Sequence, residues 1–282
     1  MRLIVTLAAL LFLSVQVKLP KSFKKQFTYV PSGKALLGSD TVSIQSFYML
    51  NHEVTNKDYQ SFLKWLDENG TMEEKEAAAI RVDNWKDEFS SSYTKLAESY
   101  HIHPDYSDYP VVNITHEGAL LYCKWLENKI NDQLKEGNVK VRLPYHVEFI
   151  RAGAGDSLES AYAWRDLFMR KTNGQFRANF VYIPQSEITM NENGDLVVKE
   201  IGFGSGTIGE SDVTAPSKSY EAYSYGFHNL NGNVAEMISE PGIAVGGSWV
   251  DYGYDIRLDS KKPYNKSSTT VGFRPVFTVV RN

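Results

Sequence analysis

Cysteine is nearly absent from this chain: a single one, Cys123, stands among 282 residues. One thiol closes no intramolecular disulfide and builds no cysteine zinc site or thiol pair. The fold must rest on packing, hydrogen bonding or a hard metal. An excess of one charge is missing too. The 30 Lys and Arg are scattered among 34 Asp and Glu, for a formal net charge of −4. With no basic stripe or face, nucleic acid is not an expected partner. Long hydrophobic runs are missing but for one, residues 3–13, which follow Met1-Arg2 and are apolar except for Thr6. That length suits the core of a signal peptide and is too short to span a bilayer comfortably. We expect residues 1–17 to be a signal peptide or an uncleaved N-terminal anchor, the only route to a membrane. The lysine-rich residues 18–26 read as a linker and residues 27–282 as one domain.

The chain is 42% hydrophobic and 13% aromatic, enough for one large core. Residues 27–33 read as a strand start, and the alternation over residues 42–49 predicts one half-buried strand. Thr55 with Asp58 three residues on makes a capping-box-like helix start. Tyr59, Phe62, Leu63 and Leu66 then share a face until Gly70 stops the helix. Sixty residues later Thr115 opens a second helix with Ala119, Tyr122, Cys123, Leu126 and Ile130 on one stripe, and both helices carry Lys-Trp-Leu at the same offset from their threonine. Cys123 on that stripe reads as a small buried hydrophobe, not a reactive thiol. Pro144 is placed to begin a third, short helix through Glu148 and Phe149 to Gly153 and Gly155. Beyond it the sequence is rich in Gly, Asn, Ser and Tyr with few helical periods, and Asn193-Gly194 predicts a hairpin turn. The result is an α+β domain with a long, loop-rich second half.

Several segments, taken in order, resemble the formylglycine-generating enzyme, or sulfatase-modifying factor, family. They are Glu53-Val54-Thr55-Asn56 with Tyr59 and Phe62; Tyr109-Pro110-Val111-Val112; Arg142-Leu143-Pro144 with Glu148 and Phe149; Asn179; and Thr214-Ala215-Pro216. The series continues through Asn229-Leu230-Asn231-Gly232-Asn233-Val234-Ala235-Glu236, Gly246-Gly247-Ser248-Trp249 and Gly272-Phe273-Arg274. The likeness covers residues 27–277 and implies the family's irregular C-type-lectin-like α+β fold. Residues 103–112 and 246–251 further resemble the gliding-motility lipoproteins of type IX secretion, although the chain lacks a lipid-accepting cysteine after its leader.

The resemblance also implies what chemistry is present or missing. Active relatives hold copper on two cysteines just after the Gly-Gly-Ser motif, and copper(I) needs such soft ligands. Counting from Ser248, those positions are Asp251 and Ile256 here. No copper and no oxidase chemistry are expected, and Ser248 is left to close a turn. The family's calcium site implies ligation by Asn229, the carbonyls of Gly232 and Val234, and Glu236, oxygen donors of the kind calcium takes. A second calcium site would use Asn179, the carbonyl of Phe180, and Asp212. The alternative for both loops is hydrogen-bonded turns without metal.

Other candidates carry less. His101 and His103 sit on a polar loop with no partner motif, and we expect them solvated or docked. Residues 202–206 resemble a phosphate cradle only in glycine count. Asn69, Asn113 and Asn265 begin glycosylation sequons that matter only in a eukaryotic source. Trp249, Tyr252, Tyr254 and Tyr264 either line an aromatic groove for a peptide or glycan or pack in the core. The leading expectation is an exported, periplasmic or outer-membrane-associated pseudoenzyme that binds cell-envelope proteins, a peptide or a glycan. The alternatives are a formylglycine-generating-type oxidoreductase with a divergent active site and a lectin-like receptor.

Overall fold

The computed structural model describes residues 19–89, 93–183, 185–198 and 213–280. The leader and Asp212 lie outside the described residues, as do residues 202–206. The first strand, β1 (Phe27–Val30), is preceded by a helical turn, α1 (Lys21–Lys24). A hairpin of β2 (Gly33–Leu37) and β3 (Asp40–Ile44) follows, then β4 (Phe47–Leu50). Five helices come next: α2 (Asn56–Asn69), α3 (Met72–Ala78), α4 (Asn84–Glu88), α5 (Thr94–Ser99) and α6 (His116–Asn131). Then β5 (Asn138–Arg142) leads to α7 (His146–Ala154).

After α7 the described residues hold only short strands and one helical turn at Gln185–Glu187. These strands are β6 (Ile188–Met190), β7 (Leu196–Val198), β8 (Ala235–Met237), β9 (Ile243–Val245), β10 (Lys261–Pro263), β11 (Val271–Phe273) and β12 (Val276–Val280). One antiparallel sheet has the order β1-β4-β12-β5, and a second, mixed sheet has the order β10-β9-β8-β11. The chain is α+β, with its C-terminal strand inserted between two N-terminal ones.

The helices form where their caps demand. Thr55 Oγ1 accepts from the Asp58 amide at 3.1 Å and donates to the Asp58 carboxylate at 2.7 Å, so the predicted capping box is present. Thr115 Oγ1 accepts from the Gly118 amide at 2.9 Å and starts α6 in the same way. The two helices pack tightly at Gly118, where a side chain would meet Tyr59 Oη at 2.8 Å. Their shared core gathers Tyr59, Phe62, Tyr122, Trp125 and Phe273 with Phe27 and Phe277 from the sheet. Full burial of such side chains stabilises by roughly 1.5–3 kcal/mol each. The Lys-Trp-Leu motifs diverge in use, for Trp125 is buried and Trp65 exposed. Cys123 is buried on the stripe, and burial pushes its thiol pKa upward.

Three expectations need correction. Residues 18–26 do not form a linker: Leu19 and Phe23, one helical turn apart, are buried in the core, and the Gln26 carbonyl accepts from the Asn51 amide at 2.8 Å. Residues 42–49 do not form one strand. Ile44 and Phe47 are both buried, which an alternating strand forbids at a spacing of three, so the chain breaks between β3 and β4 and changes sheet. The third helix starts at His146, with Tyr145 as its N-cap and Pro144 before it.

His101 is docked rather than solvated. Asn56 donates both amide hydrogens, to Tyr100 O at 2.9 Å and Tyr106 O at 3.0 Å, so its Oδ1 must accept from His101 Nδ1 at 3.0 Å. Asn113 Oδ1 accepts from Asn84, which aims the Asn113 amide nitrogen at His101 Nε2, 3.4 Å away. Both ring nitrogens are engaged, leaving no lone pair for a metal. Burial lowers the imidazole pKa from 6.5 to about 3. The unfolded chain therefore binds the proton first, and stability present above pH 6.5 is lost as pH falls toward 3. At its steepest the loss is about 1.4 kcal/mol per pH unit. Urea denaturation across this range should show a shallower acid dependence for His101→Gln than for the wild type, whatever the offset between them at neutral pH.

Candidate functional site

Gly246 and Gly247 both have positive φ, and a side chain on Gly247 would lie 2.7 Å from Asp255 O and Ile256 Cα. The glycine pair thus folds residues 248–256 back against themselves. The Ser248 amide donates to Asp251 Oδ2 at 2.8 Å, and its hydroxyl donates to the same oxygen. Ser248 closes a turn, as expected. Lys262, carried in by β10, donates to Asp251 Oδ1 at 2.9 Å, to Oδ2 at 2.7 Å and to Ser248 Oγ at 3.0 Å. The carboxylate thus takes four hydrogen bonds, three of them on Oδ2, from a partly buried ammonium ion, an amide and a hydroxyl. Ile256 is fully buried with Tyr162, Trp164, Ala178 and Phe180. One position of the implied cysteine pair is an ion pair and the other is hydrophobic core.

Around this turn lie exposed aromatics. Tyr252 and Tyr254 flank Gly253, where a side chain would meet Met169 at 3.2 Å, and the Arg257 guanidinium covers the Tyr254 ring at 3.8 Å. Leu167 and Phe168, next to Met169, are exposed as well. Trp249 instead belongs to the core and Tyr264 packs against it, which halves the groove the sequence offered.

The second constellation is a buried asparagine network. Asn233, at φ +63°, donates to Glu53 Oε1 at 2.8 Å and to Ala215 O at 3.1 Å, and accepts from the Ala215 amide at 2.7 Å. Asn179 donates to Val213 O at 2.7 Å and to Asn233 Oδ1 at 3.3 Å. Asn229, at φ +54°, donates to Glu53 Oε2 at 3.2 Å and to Pro216 O at 3.3 Å. These acceptors fix both amide orientations. The Oδ1 atoms of Asn229 and Asn179 are each left buried without a partner. Gly232, at φ +74°, presses on the Asn179 carbonyl where a side chain would sit 2.3 Å away, so the two loops share a wall.

Arg274 lies beneath, fully buried, donating to both Glu236 oxygens at 2.7–3.1 Å and to the carbonyls of Leu50 and His228 at 3.3 and 2.8 Å. Burial pushes the Glu53 carboxyl up to about 8, with Arg274 opposing and Glu236 adding to the rise. Arg274 thus hydrogen-bonds one carboxylate, Glu236, and bears on the second, Glu53, through its charge.

Of the ligands the resemblance implies, Asn229 and Asn179 fit a hard cation, each with an orphaned amide oxygen of the right kind. Phe180 and Val234 are buried alongside them. Glu236 fits less well: Arg274 removes the bidentate mode and leaves lone pairs mainly on Oε2. Among the described residues no three His, Cys, Asp or Glu side chains group as a metal set, so an ion here would depend on amide and carbonyl oxygens. The sequence reading passed over Glu53, Asn233 and Lys262. Glu53 stands in a quoted motif, yet its partners lie more than 170 residues away, and nothing local to Lys262 marks its return to Asp251.

The chain matches the sulfatase-modifying factor enzyme 1-like domain over residues 16–279 and belongs to that family. Among solved structures it is similar to CarF, with a TM-score of 0.55 and 16% identity over 90% of this chain and 98% of that one. PvdO from Pseudomonas aeruginosa gives 0.55 and 12% over 89% and 93%. Treponema denticola variable protein 1 gives 0.51 and 15% over 89% and 94%. These likenesses are of fold. No curated protein matches the sequence significantly.

The Arg274–Glu236 pair yields a direct test. Glu236→Gln keeps the shape but leaves the buried guanidinium half compensated, a change that costs about 3–5 kcal/mol in comparable pairs. Thermal melting in chelator should show a loss of roughly ten degrees for a domain of this size.

Proposed function

We propose that this chain is a non-catalytic member of its family that serves as a binding or assembly module of the bacterial cell envelope, exported by its leader. The observation that carries this reading is the filled site: Asp251 is paired with Lys262 and hydrogen-bonded by Ser248, and Ile256 is core. Thiolate chemistry has no residues to run on there, and the polar groups that replace the pair are spent on one another. The exposed Leu167, Phe168, Tyr252 and Tyr254 beside the turn supply a surface suited to a peptide, a glycan or an envelope protein. The motif likeness to gliding-motility lipoproteins makes a role related to gliding or type IX secretion the favoured setting. A lectin-like receptor is the second reading, favoured by those same aromatics, and a glycan array separates the two.

Purified protein incubated with copper, dioxygen and a sulfatase-derived cysteine peptide should bind no stoichiometric copper and yield no formylglycine by mass spectrometry. Formylglycine above the no-protein control would overturn the reading and favour a divergent oxidoreductase.

We also propose that calcium is a structural ion of the Asn229 and Asn179 loops. Its support is the pair of orphaned amide oxygens above an unbalanced carboxylate. An ion that binds the folded state alone raises stability by mass action, by about 2.7 kcal/mol at a hundred times its dissociation constant. Metal-stripped wild-type protein should melt several degrees higher in calcium than in chelator. Equal melting temperatures would show that the loops hold by hydrogen bonds alone.

A further inference from the structure

The hairpin of β6 and β7 is well built, and no described residue covers its strands. Asn191 Oδ1 accepts from the amides of Asn193 and Asp195 at 3.0 and 2.9 Å, and Gly194 takes φ +85°, so the turn is locked. The register pairs Ile188 with Val198, Thr189 with Val197 and Met190 with Leu196. Side chains opposite one another share a face, and alternate pairs change face. Ile188, Met190, Leu196 and Val198 therefore form one aliphatic face, and their exposures run from 42% to 73%. All six strand residues are exposed, and among the described residues neither outer edge pairs with another strand.

A lone two-stranded ribbon is marginal in water, and an open apolar edge invites another chain. Proteins usually blunt such an edge with lysine or proline, and residues 185–198 contain neither. The same 14 residues hold three acids, Glu187, Glu192 and Asp195, and no basic residue, while Lys199 and Glu200 beyond them cancel.

We propose that this ribbon is a docking element that adds to a strand edge of a different protein, one whose aliphatic strip is bordered by lysine or arginine. Charge selects this occupant. A second copy would set acid against acid. An anionic lipid surface repels the same turn, where Glu192 and Asp195 lead. Pairing along an edge adds main-chain hydrogen bonds to the apolar contact, and a basic rim answers the three carboxylates. The ribbon shares no residue with the turn at Asp251, so this inference stands or falls apart from the proposed function.

The test is photo-crosslinking in the source cells, with a benzophenone amino acid in place of Leu196 in the full chain. A parallel strain adds the triple reversal Glu187→Lys, Glu192→Lys and Asp195→Lys. Glu192 and Asp195 are exposed and Glu187 is half-buried, and the reversals remove only two surface hydrogen bonds, from Ser186 and Asn191, while the amide bonds to Asn191 Oδ1 remain, so the melting temperature of the purified triple variant should stay within a degree or two of wild type. The expected result is one discrete adduct whose cross-linked peptide maps to an edge strand flanked by Lys or Arg, and which falls at least tenfold in the triple variant. Adducts to a second copy of this chain, to lipid, or to many proteins without preference would overturn the proposal. So would no adduct at all, or a discrete adduct indifferent to charge reversal.

Discussion

A guanidinium taken out of water costs several kcal/mol unless its hydrogens find acceptors, and Arg274 is fully buried. It sits at the point where β11 gives way to β12, and its acceptors come from β4, from the loop at His228 and from β8. One side chain thus ties the C-terminal strand, the N-terminal sheet and the second sheet together. Because the pair with Glu236 is so deeply desolvated, alternative docking of these strands would strand a charge. The ion pair specifies the arrangement of the two sheets more than it adds net stability.

Above that pair, the loops replace regular structure with side-chain hydrogen bonds. Asn229, Asn233 and Gly232 all adopt positive φ, which asparagine and glycine tolerate and branched residues do not. The amides then act as surrogate backbone, joining residues 179, 213–216 and 229–236 to Glu53 near the end of β4. This explains how the described residues after α7 are held with almost no helix. It also explains why the Asn-rich motif is placed where the two sheets meet, since only there does burial make each amide hydrogen bond worth its ordering entropy.

What the sequence disclosed was local. Thr55 and Thr115 announce helices because a cap is satisfied within three residues, and Asn193-Gly194 announces a turn for the same reason. The strand orders were not legible, because β12 sits between β4 and β5 through contacts across most of the chain. Residues 18–26 misled because four lysines around one short turn look solvated, while Leu19 and Phe23 alone carry the burial. At the site, Ser248, Asp251 and Ile256 were located by motif counting. Their state was not, because Lys262 reaches Asp251 from another strand and Ile256 meets residues 76 to 94 positions earlier.

The pairing at the turn has a physical logic of its own. Asp251 alone would be a partly buried carboxylate with a cation-seeking field, and Ile256 alone would leave it without a second ligand. Lys262 balances that field by supplying a positive charge, and the Ser248 amide and hydroxyl add two hydrogen bonds to Oδ2. A charge-balanced turn tied by its own hydrogen bonds holds its neighbours in position without ligand. Rigidity lowers the ordering cost of binding through Tyr252 and Tyr254, whose rings lose few torsions. The polar lock at Asp251 therefore leaves the rim of the turn ordered in advance.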